Sequence, residues 1–414
     1  MYLGLDFGTS GARSCLIDVS GKPLHQAHYA YPERVEQTPL AWREALLHLL
    51  HEVPPGYAAQ LHGIAIDGTS GSVLLCDDEL KPVSPCLLYS DQRAIAEANE
   101  LSMQAPAGHL ACSPTSGLAK FLWLTRHFNH EGAAYFLHQA DWLAALLTGQ
   151  GGICDYHNAL KTGYDVVNLR WPDWVMALPN SHLLPQVRVP GNEIGSLKSG
   201  IAEHFGFNPA CRVHAGTTDS IAAFIAAGVR TPGQAVTSLG STIVLKLLSE
   251  RPVEQTASGI YSHRYGKLWL AGGASNAGGK ILRHYFSDEQ LSTLSAQIDP
   301  HQPSGLDYYP LTEPGERFPV CDPAYPPRLS PKPDDDVRFL HGLLEGLSRI
   351  EVAGYTKLAE LGATPLREVY TCGGGANNPV WRTIRTEMLG VPIHLPEYTE
   401  AAFGSALLAQ RGGL

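Results

Sequence analysis

The feature that most constrains this fold is a strand–turn–strand pattern at residues 2–19, YLGLDFGTSGARSCLIDV. Residues 2–7 are typical of a mostly buried strand and residues 13–19 of a second one, so the pattern predicts a β-hairpin. The Gly-Thr-Ser-Gly turn at residues 8–11 has no bulky side chain, and its backbone N–H groups can approach an anion. Taken alone, the same turn is equally typical of an ordinary protein surface.

Asp6 ends the first strand beside this turn. A carboxylate next to a group of anion donors suggests a cation between the two, as Mg²⁺ lies in nucleotide sites. The hydroxyl groups of Thr9 and Ser10 are then candidate contacts to a phosphate.

Two later stretches extend this interpretation. Residues 234–249, QAVTSLGSTIVLKLLS, repeat the hairpin with Gly240, Ser241 and Thr242 in its turn. Two such hairpins, each opening one half of the chain, favour a phosphate tail held between two similar domains. Residues 369–381, VYTCGGGANNPVW, predict a strand, three glycines and a helix. That glycine run permits close backbone approach to a purine or its ribose, although a purely structural glycine cluster remains open.

The stretch at residues 213–228, VHAGTTDSIAAFIAAG, predicts a strand, a turn and a helix over residues 221–227. Asp219 and Ser220 fall at or near the start of that helix. One interpretation is helix capping, for which Asp and Ser are preferred. The other is a general base that accepts the proton of a substrate hydroxyl. On this pattern alone, capping is favoured.

Polar residues also follow the strand predicted at residues 63–67, where the sequence IDGTSGSVLLCDD resembles the opening hairpin. Asp67, Thr69 and Ser70 lie at the carboxyl end of that strand, where α/β sheets usually hold ligands. The same reasoning applies to the segment 89–93, which contains Asp91 and opens a helix.

The remaining chain predicts ordinary elements. Helices are expected at residues 40–53, 94–101, 120–128 and 140–147, a polar loop at 155–165, and an irregular stretch at 171–190. Residues 274–281 approach the P-loop pattern, but the first glycine is missing and Ile281 has no hydroxyl for Mg²⁺. We interpret that stretch as a loop and helix start near a nucleotide.

Composition limits the class of protein. A chain of 414 residues predicts two or three domains, and a net charge of −10 without Lys/Arg runs argues against nucleic-acid and anionic-membrane partners. The eight cysteines include no CxxC pair and the 18 histidines no HExxH, so we expect reduced thiols and no zinc site. We also expect no signal peptide, no membrane span and a cytoplasmic location.

Four of these patterns resemble, in the same order, the signature elements of the FGGY carbohydrate kinases. They are DFGTSG from Asp6, GTTDS ending at Ser220, SLGST with Gly240, and CGGGANN ending at Asn378. The resemblance implies an α/β fold of the actin/hexokinase/Hsp70-like superfamily, with two actin-like (ribonuclease H-like) lobes around a central cleft. Residues 1–228 would form the sugar-binding lobe and residues 229–414 the ATP-binding lobe.

Further family-like segments lie at 89–93, 155–165, 272–279 and 403–409. Two departures accompany them. The chain is short for the family, which implies trimmed peripheral subdomains. Lys161 stands where a smaller residue is expected, which leaves the role of its loop open.

Carried over residue by residue, the resemblance implies ATP and Mg²⁺ as cofactors. Asp219 would be the catalytic base, and Asp6 and Asp219 would face the metal. The remaining implied contacts are Thr9, Ser10, Gly240, Ser241 and Thr242 for the phosphates, Gly374, Gly375 and Asn378 for adenosine, and Asp67, Ser70, Asp91, Asp219 and Ser220 for the sugar.

The implied substrate is a ketopentose phosphorylated on its terminal hydroxyl, with D-ribulose favoured. The pattern at residues 67–70, Asp-Gly-Thr-Ser, looks more like the ribulose-kinase branch than the Gly-Gln typical of xylulose and glycerol kinases. Xylulose or glycerol kinase activity is the alternative within the family. A non-catalytic sugar or nucleotide sensor, a chaperone-like ATPase and purely architectural turns are alternatives outside it. The oligomeric state is left open.

Overall fold

The computed structural model of this chain describes residues 1–32, 37–128 and 131–414. They form two compact units, Met1–Ala226 with Tyr398–Leu414 and Ala227–Glu397. Each unit is built on one six-stranded sheet with helices packed against it. The α/β class expected from the sequence is confirmed.

The first unit contains ten strands and ten helices, numbered along the whole chain. The strands are β1 (Tyr2–Phe7), β2 (Gly11–Ile17), β3 (Pro23–Ala30), β4 (Gly63–Gly68), β5 (Val73–Cys76), β6 (Tyr135–His138), β7 (Ile153–Asp155), β8 (Gln186–Arg188), β9 (Glu193–Ser196) and β10 (Arg212–Thr218). The helices are α1 (Pro39–His51), α2 (Pro55–Ala58), α3 (Ile95–Ser102), α4 (Gly117–His127), α5 (Gln139–Thr148), α6 (Tyr156–Leu160), α7 (Asp173–Met176), α8 (Ser199–Phe205), α9 (Asp219–Ala226) and α14 (Ala401–Arg411).

The sheet of the first unit has the order β3-β2-β1-β4-β10-β9. The opening hairpin pairs β1 with β2 antiparallel, and β1, β4 and β10 run parallel. β4 is buried along its full length, which explains its nearly continuous apolar sequence. Parallel pairing brings the carboxyl ends of β1, β4 and β10 to one edge of the sheet.

The second unit repeats this plan with six strands and four helices. The strands are β11 (Gln234–Leu239), β12 (Ile243–Ser249), β13 (Tyr261–Tyr265), β14 (Leu268–Ala274), β15 (Glu368–Cys372) and β16 (Ile393–His394), and the helices are α10 (Gly279–Tyr285), α11 (Asp288–Ser295), α12 (Asp336–Glu360) and α13 (Pro379–Leu389). The sheet order is β13-β14-β12-β11-β15-β16, with β11 and β15 parallel. Its β11–β12 hairpin corresponds to β1–β2 of the first unit.

The last residues of the chain pack in the first unit, although the expected boundary assigned residues 229–414 to one lobe. α14 lies against β1 and α9. Close packing depends on small residues, because a Cβ on Gly404 would lie 1.8 Å from the backbone oxygen of Ala222. The helix therefore belongs with the N-terminal sheet despite its distance along the sequence.

Two local expectations differ from the structure. The segment expected to be a polar loop contains α6, and its five residues Tyr156–Leu160 are all buried. Its polarity is matched by hydrogen bonds, because Asp155 Oδ1 accepts from the backbone N–H groups of His157 and Asn158 at 2.8 and 3.0 Å. The stretch 171–190, expected to be irregular, contains the short elements α7 and β8. In the described part of the chain, no helix is both long and apolar enough to cross a membrane.

Candidate active site

The carboxyl ends of three parallel strands bring acidic residues together in the first unit. Asp6 on β1 is paired in register with Asp67 on β4. Thr218, the last residue of β10, is paired with Gly68, and Asp219 follows it directly. Three aspartates from distant parts of the sequence thus reach one edge of the sheet.

A cavity of about 590 Å³ opens at this edge. The residues that line it include Asp6, Thr9, Ser10 and Asp219, which the sequence predicted as site residues. Arg13 also lines it, with Nη1 3.8 Å from Asp6 Oδ2. The cavity therefore combines carboxylates, hydroxyl groups and backbone N–H groups, which suits a phosphate together with a cation.

Asp6 and Asp67 perturb each other. Burial raises the pKa of Asp6, the interaction with Asp67 lowers it, and the charge of Asp219 raises it again. For Asp67, burial first and the charge of Asp6 second raise the pKa well above its ordinary value. Two interacting carboxyl groups cannot both be charged at low cost, so we assign the shared proton to Asp67.

Asp67 differs from Asp6 and Asp219 in its placement. Its side chain is fully buried, and Oδ2 accepts a hydrogen bond of 2.6 Å from Ser405 Oγ on α14. Oδ1 is buried without a hydrogen-bond donor among the described residues. Asp67 is thus buried next to Asp6 in the sheet and is not among the described residues that line the cavity, so its sugar contact stays a prediction.

Asp219 is the first residue of α9, two residues earlier than the helix start expected from the sequence. Its Oδ1 accepts a hydrogen bond of 2.6 Å from the backbone N–H of Ser220, while the side chain stays partly exposed to the cavity. The residue thus interacts with the helix start and also faces the cavity. Ser220 is exposed and does not line the described cavity wall.

Ser70 and Asp91 lie on two segments that the structure joins. Ser70 is half-buried in the turn after β4, and Asp91 accepts hydrogen bonds from Arg93 Nε at 2.9 Å. The backbone N–H of Tyr89 donates to Ser72 Oγ at 3.0 Å and so ties the two segments together. Among the described lining residues of the cavity at Asp6, neither Ser70 nor Asp91 is present.

The second unit contains a separate cavity of about 580 Å³. Gly240, Gly374, Gly375 and Asn378 line it, as predicted for a nucleotide site. A Cβ on Gly374 would meet no heavy atom closer than 3.8 Å, so the glycine leaves room in the cavity itself. The remaining predicted residues of this unit, Ser241 and Thr242, are not in the described lining of this cavity.

The turn at Gly240 is built by close backbone packing. Gly279 N donates to Gly240 O at 2.8 Å, and a Cβ on Gly278 would lie 2.5 Å from Thr242 Cα. The stretch that approaches a P-loop in sequence therefore uses its glycines to support the β11–β12 turn. Gly279 also lines the cavity, at the start of α10.

Asn378 caps α13, because its Oδ1 accepts from Trp381 N at 3.0 Å and its Nδ2 donates to Ser295 Oγ at 2.9 Å. The sequence did not single out Ser295, Arg283 or the other lining residues from α10 and α11. Only the stretch 274–281, which includes Gly279, pointed toward this wall. Trp381 contributes an apolar surface to the cavity lining, and polar groups lie around it. This combination suits a purine nucleoside.

Comparisons with known proteins address the whole chain. Residues 1–226 match the N-terminal domain of the FGGY family of carbohydrate kinases, and residues 235–412 match its C-terminal domain. Similar curated proteins include the gluconokinase of Bacillus subtilis (strain 168), 23% identical over 98% of this chain and 86% of its own length. The xylulose kinase of Haemophilus influenzae is 26% identical over 99% of this chain and 90% of its own length.

Solved structures give the same result for the fold. A xyloylose kinase from Brucella ovis has a TM-score of 0.86 at 26% identity, covering 100% of this chain and 91% of its own. Plasmodium falciparum glycerol kinase with ADP has a TM-score of 0.85 at 17% identity, covering 99% of this chain and 89% of its own.

Proposed function

Because this chain belongs to the FGGY family of carbohydrate kinases, we propose that it phosphorylates the terminal hydroxyl of a ketopentose, with D-ribulose favoured. The coarser activity follows from the family: the protein is a phosphotransferase that acts on a sugar hydroxyl. The finer proposal concerns the substrate, the metal and the role of each residue.

One observation carries the proposed chemistry: Asp6, Thr9, Ser10 and Asp219 line one cavity of the first unit. Asp219 is the proposed general base, because its carboxylate faces this cavity and can accept the proton of a substrate hydroxyl. Phosphoryl transfer needs positioning and charge neutralisation more than covalent help, so a single base suffices on the sugar side. The backbone N–H groups and hydroxyls of the Gly8–Gly11 turn would orient the phosphate.

The donor set of this cavity fits Mg²⁺. Asp6 and Asp219 offer hard carboxylate oxygens to a cation, and burial, with a smaller contribution from the charge of Asp219, raises the pKa of Asp6. Asp67, which accepts a hydrogen bond from Ser405, would help to hold Asp6 in place as a ligand. When bound, Mg²⁺ would supply neutralisation of the phosphate charge.

ATP is the phosphate donor in this family, and the cavity at Gly240, Gly374, Gly375 and Asn378 is the proposed adenosine site. Its volume of about 580 Å³ lies within the usual range for cofactor sites. We propose that Ser241 and Thr242 contact the phosphates from the adjoining turn.

For the substrate, the support is the Asp-Gly-Thr-Ser sequence at residues 67–70 and its resemblance to ribulose kinases. The proposed sugar contacts remain Asp67, Ser70, Asp91, Asp219 and Ser220, and Asp67 is fully buried in this structure. Xylulose is the second candidate, since several relatives are named xylulose kinases, although at 21–26% identity.

The test is the release of ADP with D-ribulose, L-ribulose, D-xylulose, glycerol, gluconate and L-rhamnulose measured side by side. We expect D-ribulose to give the highest kcat/KM, by roughly tenfold to a hundredfold over its epimers, because a misdirected hydroxyl leaves a buried polar group unpaired. A clear preference for xylulose, glycerol or gluconate over both ribuloses would overturn the substrate assignment and leave the kinase activity in place.

A further inference from the structure

Lys120 is a fully buried basic side chain outside the cavity at Asp6. It lies on α4, and its side chain has no exposed surface. Its Nζ donates to the backbone oxygens of Gly71 at 2.8 Å, Leu88 at 2.6 Å and Tyr89 at 3.3 Å. In the described part of the chain, no carboxylate lies within 4 Å of Nζ. Three donors thus meet three backbone carbonyl groups, the full capacity of an ammonium group.

The three acceptors come from two segments that are far apart in sequence. Gly71 belongs to the turn after β4 and directly follows Ser70, whereas Leu88 and Tyr89 lie three and two residues before Asp91. Both segments carry proposed sugar contacts.

Ser72 reinforces the same junction. Its Oγ accepts from Tyr89 N at 3.0 Å and shares a hydrogen bond of 2.6 Å with Thr69 Oγ1. Lys120 therefore supplies the strongest donor at the point where the two segments meet.

We propose that Lys120 is a positioning residue for sugar binding, whose ammonium group fixes the spacing of Ser70 and Asp91 by holding the Gly71 turn against the Leu88–Tyr89 segment. The inference rests on the proposed function, because it names how that function's sugar contacts are held. Lys120 itself does not touch the substrate.

The alternative is a residue that only fills the core. Burying an ammonium group without a carboxylate is costly, and a core that needed volume alone would use Leu or Met at lower cost. The neighbours of Lys120 on α4 are of that kind, since Leu118, Phe121 and Leu122 are buried and apolar. The cation is thus explained by its three acceptors rather than by packing.

The test compares Lys120→Met with Leu124→Ala in the full-length protein. Leu124 is a fully buried residue of the same helix whose apolar side chain offers no hydrogen bond, so its variant controls for lost stability. For Lys120→Met we expect the KM for sugar to rise by roughly tenfold or more, since carbonyl groups are left unpaired, while kcat and the KM for ATP change by less than about threefold.

Hydrogen exchange supplies a readout that does not depend on turnover. We expect the peptides over residues 69–73 and 87–91 to exchange faster in Lys120→Met than in Leu124→Ala, by roughly tenfold. The reason is that the hydrogen bonds from Lys120 Nζ to both segments are lost. If Lys120→Met does not fold, Lys120→Gln retains two N–H donors and should show the same changes at a smaller size.

The outcomes separate the two proposals. If the wild-type protein phosphorylates no sugar of the panel, the proposed function fails. Hydrogen exchange alone then decides whether Lys120 holds the two segments together. If the wild-type protein is active but the KM for sugar in Lys120→Met equals that of Leu124→Ala, the positioning role is overturned and the function stands. The positioning role of Lys120 is also overturned if Lys120→Met shows faster hydrogen exchange without a change in the KM for sugar, or a change in that KM without faster exchange.

Discussion

The two sheets of this protein place different residues at equivalent positions. In the first unit, β1 and β4 pair Asp6 with Asp67, and Asp6 lies two residues before Gly8 of the hairpin turn. In the second, β11 and β15 pair Ser238 with Cys372 at the corresponding point. The hairpin turns that follow are alike, with Gly8 in one and Gly240 in the other. The topology is repeated, but the acidic pair is confined to one unit.

This difference separates two tasks that one fold can perform. A carboxylate pair at a strand end favours a cation and a proton acceptor, whereas neutral hydroxyl and thiol groups leave a strand end open to the negative phosphates of a nucleotide. Fold repetition therefore does not predict function at each edge, because function depends on the residues placed there.

The largest effect on activity should come from the sheet edge of the first unit, where the aspartates lie. Asp219→Asn removes the proposed base but keeps a side chain of similar size, so we expect kcat to fall by roughly 10²- to 10⁴-fold. The affinity for ATP, measured by isothermal titration, should stay near that of the wild-type protein, because the nucleotide cavity belongs to the second unit.

Asp173→Asn is the matched control, since Asp173 is the exposed first residue of α7 and is not among the described residues that line the cavity at Asp6. It should retain kcat within about tenfold, well above the loss expected for a missing base. If Asp219→Asn keeps more than about a third of wild-type kcat, Asp219 acts only at the start of α9.

A smaller effect on activity is expected when a carboxylate is introduced at the strand ends of the second unit, where Ser238 and Cys372 lie. Ser238→Asp places a carboxylate where the first unit has Asp6, and repulsion should raise the KM for ATP by roughly tenfold. Ser238→Asn has a similar shape without the charge and should change that KM much less. Equal changes in the two variants would show that side-chain size, not charge, distinguishes the two strand ends.

Much of this arrangement could be predicted from sequence where the determinants are local. The turn at residues 8–11 follows from glycines between apolar runs, and the parallel strands bring Asp6 and Asp219 to one edge. The glycine run before α13 likewise predicted a cavity wall, which Gly374 and Gly375 form.

The remaining features depend on contacts between distant segments. Asp67 looks like a ligand in sequence, but its partner Ser405 lies 338 residues away, so its burial could not be predicted from a local pattern. Lys120 sits on an amphipathic helix, where a lysine usually faces solvent. α6 was missed because its polar side chains are satisfied inside the protein, and composition alone indicated a loop.

The smallest effect concerns a buried basic side chain in each unit. Arg385 in the second unit pairs with Glu351 through hydrogen bonds of 2.6 and 2.8 Å, whereas Lys120 in the first meets only backbone carbonyl groups. Burial lowers the pKa of Lys120 from 10.5 to about 7, with the charge of Asp91 raising it and that of Lys161 lowering it further. Lys120 therefore titrates near neutral pH, whereas an arginine stays charged.

The sign of the effect follows from the pKa of Lys120 in the two states. Between about pH 7 and pH 10.5 the unfolded chain binds more protons at Lys120, so the free energy of unfolding rises with pH. The slope of the free energy of unfolding with pH that Lys120 causes is at most about 1.4 kcal/mol per pH unit. This slope falls to zero below about pH 7, where Lys120 is protonated in both states. Urea unfolding between about pH 7.5 and pH 9 should thus show a steeper rise for wild type and Leu124→Ala than for Lys120→Met. Equal slopes in all three proteins would mean that Lys120 stays charged in the folded protein.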